Sequence, residues 1–346
     1  MKIWIDRLRR EHTLAPDVYR QLLSTTDADV VDYLHRQARE VSLRQFGHDI
    51  YIRGLIEVGN RCRNNCLYCG IRAANVSIAR YELTKDEILN CCRTGYKLGF
   101  RTFVLQGGEK SGSYAMWEDV VRTIRIIYPD CAITLSLGEM TREEYEGLFR
   151  AGANRYLLRH ETYNAGHYRM LHPASMSHKH RLQCLHWLKE IGYQTGTGVM
   201  VGSPGQTLDY LVEDICFIER FRPQMIGLGP FIPQQDTPFR DCPSGSADLT
   251  LRLLSIFRLM FPTVLIPATT ALSTLLPDGK AQGILAGANV VMPNLSPAVY
   301  RSSYALYDNK ASMGTEAAEG LALLKLELDK IGYRISMARG DYREKE

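Results

Sequence analysis

Eight short apolar, β-branched runs, each followed by an amphipathic segment, constrain this chain more than any other feature. They fall at 55–58, 102–106, 132–137, 155–159, 195–201, 225–231, 263–268 and 289–292. Short continuous apolar runs suit strands covered on both faces, and strands alternating with helices call for parallel pairing. Eight such units predict an α/β fold, a (β/α)8 barrel of the TIM type or an incomplete one with six core units. An open doubly wound sheet is the rival, and no GxGxxG follows the first strand to support it. Helix ends are legible too. Thr84-Lys-Asp-Glu87 and Thr141-Arg-Glu-Glu144 read as capping boxes, while Gly99, Gly152, Gly192 and Gly287 sit where helices should stop. Residues 1–47 read as a helical extension, 48–310 as the barrel, and 311–346 as a C-terminal helix and tail.

In a barrel, the loops leaving the C-terminal ends of the strands face one common site. The first such loop carries Cys62-x3-Cys66-x2-Cys69, the second Gly107-Gly-Glu109 and the third Ser136-Leu-Gly-Glu139. The fourth strand brings Arg155, Arg159 and Glu161, and later strands end in Gly/Pro-rich or Thr-rich turns. Three thiols are one too few for a closed tetrahedral zinc site. No second knuckle exists, because Cys91 and Cys92 are adjacent within a helical segment. A [4Fe-4S] cluster on three thiolates, with one iron left open, fits the triplet better than zinc does.

The totals exclude other classes. Forty-two basic against 38 acidic residues give a net charge of +4, with no basic arm for nucleic acid. No run of eighteen apolar residues appears, and the N-terminus lacks a signal-peptide core, so neither a membrane span nor secretion is expected. Nine cysteines without a disulfide rhythm point to a reduced, cytoplasmic protein. Cys91, Cys92, Cys131, Cys184, Cys216 and Cys242 are expected to be packing residues.

CxxxCxxC after the first barrel strand, with Tyr68 just before the third cysteine, resembles the radical S-adenosylmethionine superfamily. The resemblance implies that Cys62, Cys66 and Cys69 ligate the cluster and that S-adenosylmethionine chelates its open iron. Reductive cleavage would then give a 5′-deoxyadenosyl radical. It further implies a cofactor shell of Tyr68, Gly107, Gly108, Glu109, Ser136, Glu161, Arg181 and Met225. Gly107-Gly-Glu109 would receive the ammonium group, since glycine permits close approach and a carboxylate pairs with a cation. The other reading of Glu161 and Arg181 is a surface ion pair.

Six further ordered motifs narrow the resemblance: 134–139, 155–162, 200–207, 227–233, 266–270 and 288–294. Together they look like the HydE family, the radical maturases of [FeFe]-hydrogenase. That resemblance implies a complete (β/α)8 barrel of the TIM type and attack by the radical on a cysteine-bound Fe(CO)2(CN) synthon supplied by HydG. HydF and a low-potential electron donor are implied partners. Arg155 and Arg159, four apart on one strand, share a face and would set two cations against an anionic cargo. Thr134, Thr269, Thr270, Met292, Tyr304 and Tyr307 would complete the substrate wall, plain barrel packing being the other reading of each. Some members carry a second cluster on C-terminal cysteines. No cysteine follows Cys242 here, so none is expected on 310–319. Biotin synthase is disfavoured because its YNxNLDT element is replaced by Arg159-His-Glu-Thr-Tyr-Asn164. A methylornithine synthase-like mutase and a non-enzymatic iron–sulfur carrier remain the alternatives.

Overall fold

The computed structural model describes residues 1–109, 112–310 and 317–343. Part of the stretch expected to lack a second cluster, 311–316, lies outside the described residues. Eleven strands form among them: β1 Asp49–Ile52, β2 Gly54–Gly59, β3 Thr102–Gly107, β4 Ala132–Ser136, β5 Arg155–Leu157, β6 Gln194–Thr197, β7 Met200–Val201, β8 Met225–Ile226, β9 Gly229–Pro230, β10 Val290–Val291 and β11 Arg334–Ser336. The main sheet is parallel in the order β2-β3-β4-β5-β6-β8. Single parallel bridges carry the series onward, from Met225 to Leu265, Pro267 to Val290 and Asn294 back to Leu55. The run at 263–268 makes only such bridges, because Pro262 and Pro267 have no amide hydrogen to give a ladder.

Helices Lys85–Lys97 and Arg142–Ala151 start with complete capping boxes at Thr84 and Thr141. Gly99, Gly152, Gly192 and Gly287 all adopt φ between 95° and 120° at helix ends. The amphipathic stretch before β10 forms two short helices, Thr270–Leu275 and Gly279–Leu285, with Pro277 in the gap. At the N-terminus, three helices (Lys2–Glu11, Pro16–Ser24 and Ala28–Phe46) rest on helix Ala247–Met260. Arg252 donates to the carbonyls of Leu23 and Thr25 at 3.2 and 2.6 Å, and His35 Nδ1 lies 2.8 Å from Ser255 Oγ.

A second, smaller sheet lies where the main strands begin. β1 runs parallel between β10 and β11, so residues near 50 pair with residues near 335. Neither β1 nor β11 was expected from the sequence. Beyond β11 the chain is fastened by Arg155, the first residue of β5 and fully buried. Its guanidinium donates to the carbonyls of Arg339 and Gly340 at 3.2 and 3.0 Å and to Asp341 Oδ1 at 2.7 Å. It also reaches Thr102 Oγ1 on β3 and Gln194 Oε1 on β6, at 3.3 and 3.2 Å. These residues are the first of their strands, so Arg155 ties the strand origins to the C-terminal segment.

Candidate active site

At the opposite end of the strands is a cavity of about 350 Å3. Cys62, Cys66 and Cys69 share its wall, on the loop that leaves β2. That loop is held by Arg80, whose guanidinium donates to four carbonyls: Asn60 (2.6 Å), Ile71 (2.8 Å), Arg72 (2.5 Å) and Asn75 (2.8 Å). Asn60 adds bonds to Ala79 and Ser303 carbonyls and accepts from the Tyr81 amide. Removing Arg80 forfeits hydrogen bonds worth about 3 kcal/mol together. Arg80→Ala is therefore expected to lose most of its iron on reconstitution, measured as iron and acid-labile sulfide per chain. Arg80→Lys should recover little, since an ammonium lacks the planar fork.

Burial pushes all three thiols up, Cys69 to about 12. Among the described residues, no three His, Cys, Asp or Glu side chains converge closely enough to hold one metal ion. The triad thus shares a wall without meeting at a point.

Glu109 follows β3 and is almost buried. Its Oε1 accepts from Arg63 Nε and Nη2 at 3.0 and 2.7 Å, and its Oε2 lies 3.5 Å from Arg181 Nη2. Arg181 Nε is 2.8 Å from Glu139 Oε1, close enough for an ion pair but without hydrogen-bond alignment. Two glycines make this arrangement possible. A Cβ on Gly108 would strike the Arg61 carbonyl, and one on Gly138 would strike the Glu109 carboxylate.

Glu161 has φ of 65°, a left-handed conformation uncommon for a non-glycine residue. Its amide donates to Gly198 and its carbonyl accepts from Met200, so the turn is braced on both sides. The turn places its carboxylate in the cavity, 2.8 Å from Arg159 Nη2. Glu161 Oε2, Arg159 Nε and Thr269 Oγ1 are buried without hydrogen-bond partners. Beside the cysteines, Tyr68 donates to His172 Nε2 at 3.2 Å while His172 Nδ1 donates to the Tyr168 carbonyl. Burial takes His172 down to about 3, so the ring is neutral and can accept the phenol proton.

Most of the residues singled out in the sequence meet in this cavity. Gly107, Gly108, Ser136 and Arg181 line it with those already described, and so do Thr269, Thr270, Met292, Tyr304 and Tyr307. Three do not. Arg155 is at the far end of its strand, bound to the C-terminal segment; sharing a face with Arg159 does not give it the same depth. Met225 packs with Leu265 and Val290, and its sulfur receives Arg53 Nη1 at 3.2 Å. Thr134 sits one layer beneath Ser136, buried, with its hydroxyl unpartnered. Two residues that sequence reasoning missed belong to the wall: Glu57 on β2 and Lys310. They form a buried ion pair, and Asn294 Nδ2 donates to Glu57 Oε2 at 3.0 Å. The partners are 253 positions apart, and no local pattern links them.

Residues 56–218 match the Radical SAM superfamily. The chain is 44% identical over 305 residues to the [FeFe] hydrogenase maturase subunit HydE of Thermotoga maritima, covering 87% of this chain and 86% of that one. It is 29% identical, over a similar extent, to a 3-methylornithine synthase of Methanosarcina barkeri. Among solved structures, methylornithine synthase (PylB) superposes with a TM-score of 0.83 at 25% identity, covering 96% of this chain and 97% of that chain. The maturase HydG superposes at 0.80 and 22% identity, covering 98% and 76%, and shares the fold. The chain therefore belongs to the radical S-adenosylmethionine superfamily and, within it, to the HydE family of [FeFe]-hydrogenase maturases.

Proposed function

We propose that this protein is the HydE-type enzyme of hydrogenase maturation and that its chemistry takes place inside a complete (β/α)8 barrel. The bridges from Met225 through Pro267 and Asn294 to Leu55 support the closed ring. The observation that carries the reading is the single cavity wall holding three cysteines, Glu109, Arg181 and Glu161 together. Cys62, Cys66 and Cys69, side by side in the cavity wall, would hold a [4Fe-4S] cluster, for which thiolates are the usual ligands. When bound, the cluster and S-adenosylmethionine supply one-electron cleavage of the sulfonium to a 5′-deoxyadenosyl radical.

The chain's own residues bind, orient and exclude water. Glu109 takes the ammonium of S-adenosylmethionine; its present cationic partner, Arg63, is half exposed and shows that the carboxylate accepts such a charge. Arg181 takes the carboxylate, and Glu161 the ribose hydroxyls, its Oε2 being ion-paired with Arg159 but without an aligned hydrogen bond. Gly107, Gly108 and Ser136 shape the floor of this pole. The other pole, with Arg159, Thr269, Thr270, Met292, Tyr304 and Tyr307, receives a small cysteine-bound iron carbonyl cyanide cargo supplied by HydG. HydF and a low-potential donor complete the context. A mutase reading is disfavoured by identity, 29% against 44% over the same length.

The test is anaerobic reconstitution followed by dithionite and S-adenosylmethionine. Wild type is expected to form 5′-deoxyadenosine and Cys62→Ala none. Equal yields would sink the enzyme reading and leave an iron–sulfur carrier. Hydrogenase activation in a cell lacking its own HydE then separates maturase from mutase.

A further inference from the structure

The cavity's substrate pole was expected to present two fixed cations, Arg155 and Arg159, and Arg155 lies elsewhere. Lys310 stands in the wall instead. It is nearly buried, held by Glu57 and 3.4 Å from the Tyr304 carbonyl. An ammonium has three donors, and among the described residues Lys310 Nζ has two oxygen acceptors, Glu57 and the Tyr304 carbonyl, besides lying 5.0 Å from the centre of the Tyr304 ring. Each oxygen of the Glu57 carboxylate already has a partner, Lys310 or Asn294, and its negative charge repels an anionic ligand. The Tyr307 phenol, raised first by burial, also feels Glu57 and, in the opposite sense, Arg159. The Lys310 and Arg159 pairs therefore neighbour one ring. Arg159 Nε and Thr269 Oγ1 are buried, unpartnered and part of the same wall. Every unclaimed polar group named here can donate, and two belong to cations. A buried ion pair contributes little net stability, so stability alone is a weak reason for a Lys–Glu pair in this wall.

We propose that Lys310, with Arg159 beside it, is a substrate-positioning residue that binds the carboxylate of a small amino-acid-derived ligand. The inference rests on the reading of this pole as the cargo site. Glu57 holds the ammonium in place, and Tyr304 and Tyr307 close the apolar sides around the ligand's stem.

The probes are S-methyl-L-cysteine and 2-(methylthio)ethylamine, which share the thioether and amine and differ in the carboxylate. Both are titrated calorimetrically into reconstituted enzyme with saturating S-adenosylmethionine and no reductant. Wild type should bind the carboxylate-bearing probe about ten-fold or more tightly, as a charge-assisted hydrogen bond implies. In Lys310→Gln the preference should shrink to about two-fold or less. Lys310→Arg, which keeps the charge if the glutamine variant fails to fold, should retain part of it. No preference in wild type, or an undiminished one in Lys310→Gln, would overturn the proposal. So would loss of S-adenosylmethionine affinity in Lys310→Gln, which would assign the residue to the cofactor pole. Absence of 5′-deoxyadenosine from wild type instead defeats the enzyme reading beneath it.

Discussion

Gly138→Ala is expected to reduce S-adenosylmethionine cleavage about a hundred-fold, equivalent to roughly 2–3 kcal/mol, with the cluster still assembled. Gly138 has φ of 82°, so any side chain there is strained, and its Cβ would overlap the Glu109 carboxylate. The backbone cannot retreat. Its carbonyl accepts from the hydroxyls of Tyr156 at 2.8 Å and Tyr145 at 3.2 Å, both tyrosines being fully buried. Glu109 must therefore move, breaking its contacts with Arg63 and Arg181 and leaving the position proposed for the ammonium group. The measurement is 5′-deoxyadenosine per cluster, with S-adenosylmethionine affinity alongside. Gly47→Ala is the control, because Gly47 has φ of 60° with open space around it. It carries the strain without the collision and should leave cleavage unchanged. Equal losses in the two variants would show that general destabilisation, not displacement of Glu109, is responsible.

Arg155→Met should cost about 3 kcal/mol of stability, the low end of the range for breaking a buried pair by removing one partner, because Asp341 is one-third exposed and keeps Arg339. Five groups lose a donor at once, Thr102, Gln194, Asp341 and two backbone carbonyls, although Asp341 keeps Arg339 and the Arg339 carbonyl keeps Thr102. Because Arg155 lies at the strand origins, S-adenosylmethionine affinity per folded, reconstituted protein should stay at the wild-type level. Denaturant unfolding and calorimetric titration of the same preparation check both halves. A stable variant with lost ligand affinity would return Arg155 to the cavity.

Arg155 also marks where sequence reasoning stops. Period-two alternation assigns residues four apart to one face, but it says nothing of depth, and β5 ends at Leu157, before Arg159 is reached. Four residues along an extended chain cover about 13 Å, enough to separate the floor of a barrel from its mouth. The cysteine loop, the Gly107-Gly-Glu109 turn and the capping boxes were legible because each is a local pattern with a local physical cause. Glu57 and Lys310 were not, since neither has a motif and their pairing depends on the fold having formed. β1 and β11 were hidden for the same reason: each is three or four residues long, partly exposed, and defined by a partner at the other end of the chain. Met225 was misplaced because a methionine in an apolar run suits a core cluster as well as a cofactor wall.

The pairing of β1 with β11 has a consequence for how the protein is made. Strands β2 to β6 contact neighbours close behind them in the chain, so much of the sheet can assemble as it leaves the ribosome. The floor cannot. Arg155 remains a buried-to-be cation without its counter-charge until Asp341 has been synthesised, some 186 residues later. During that interval the strand origins stand open to water and to chaperones, and it is the segment from β11 to Asp341 that seals them.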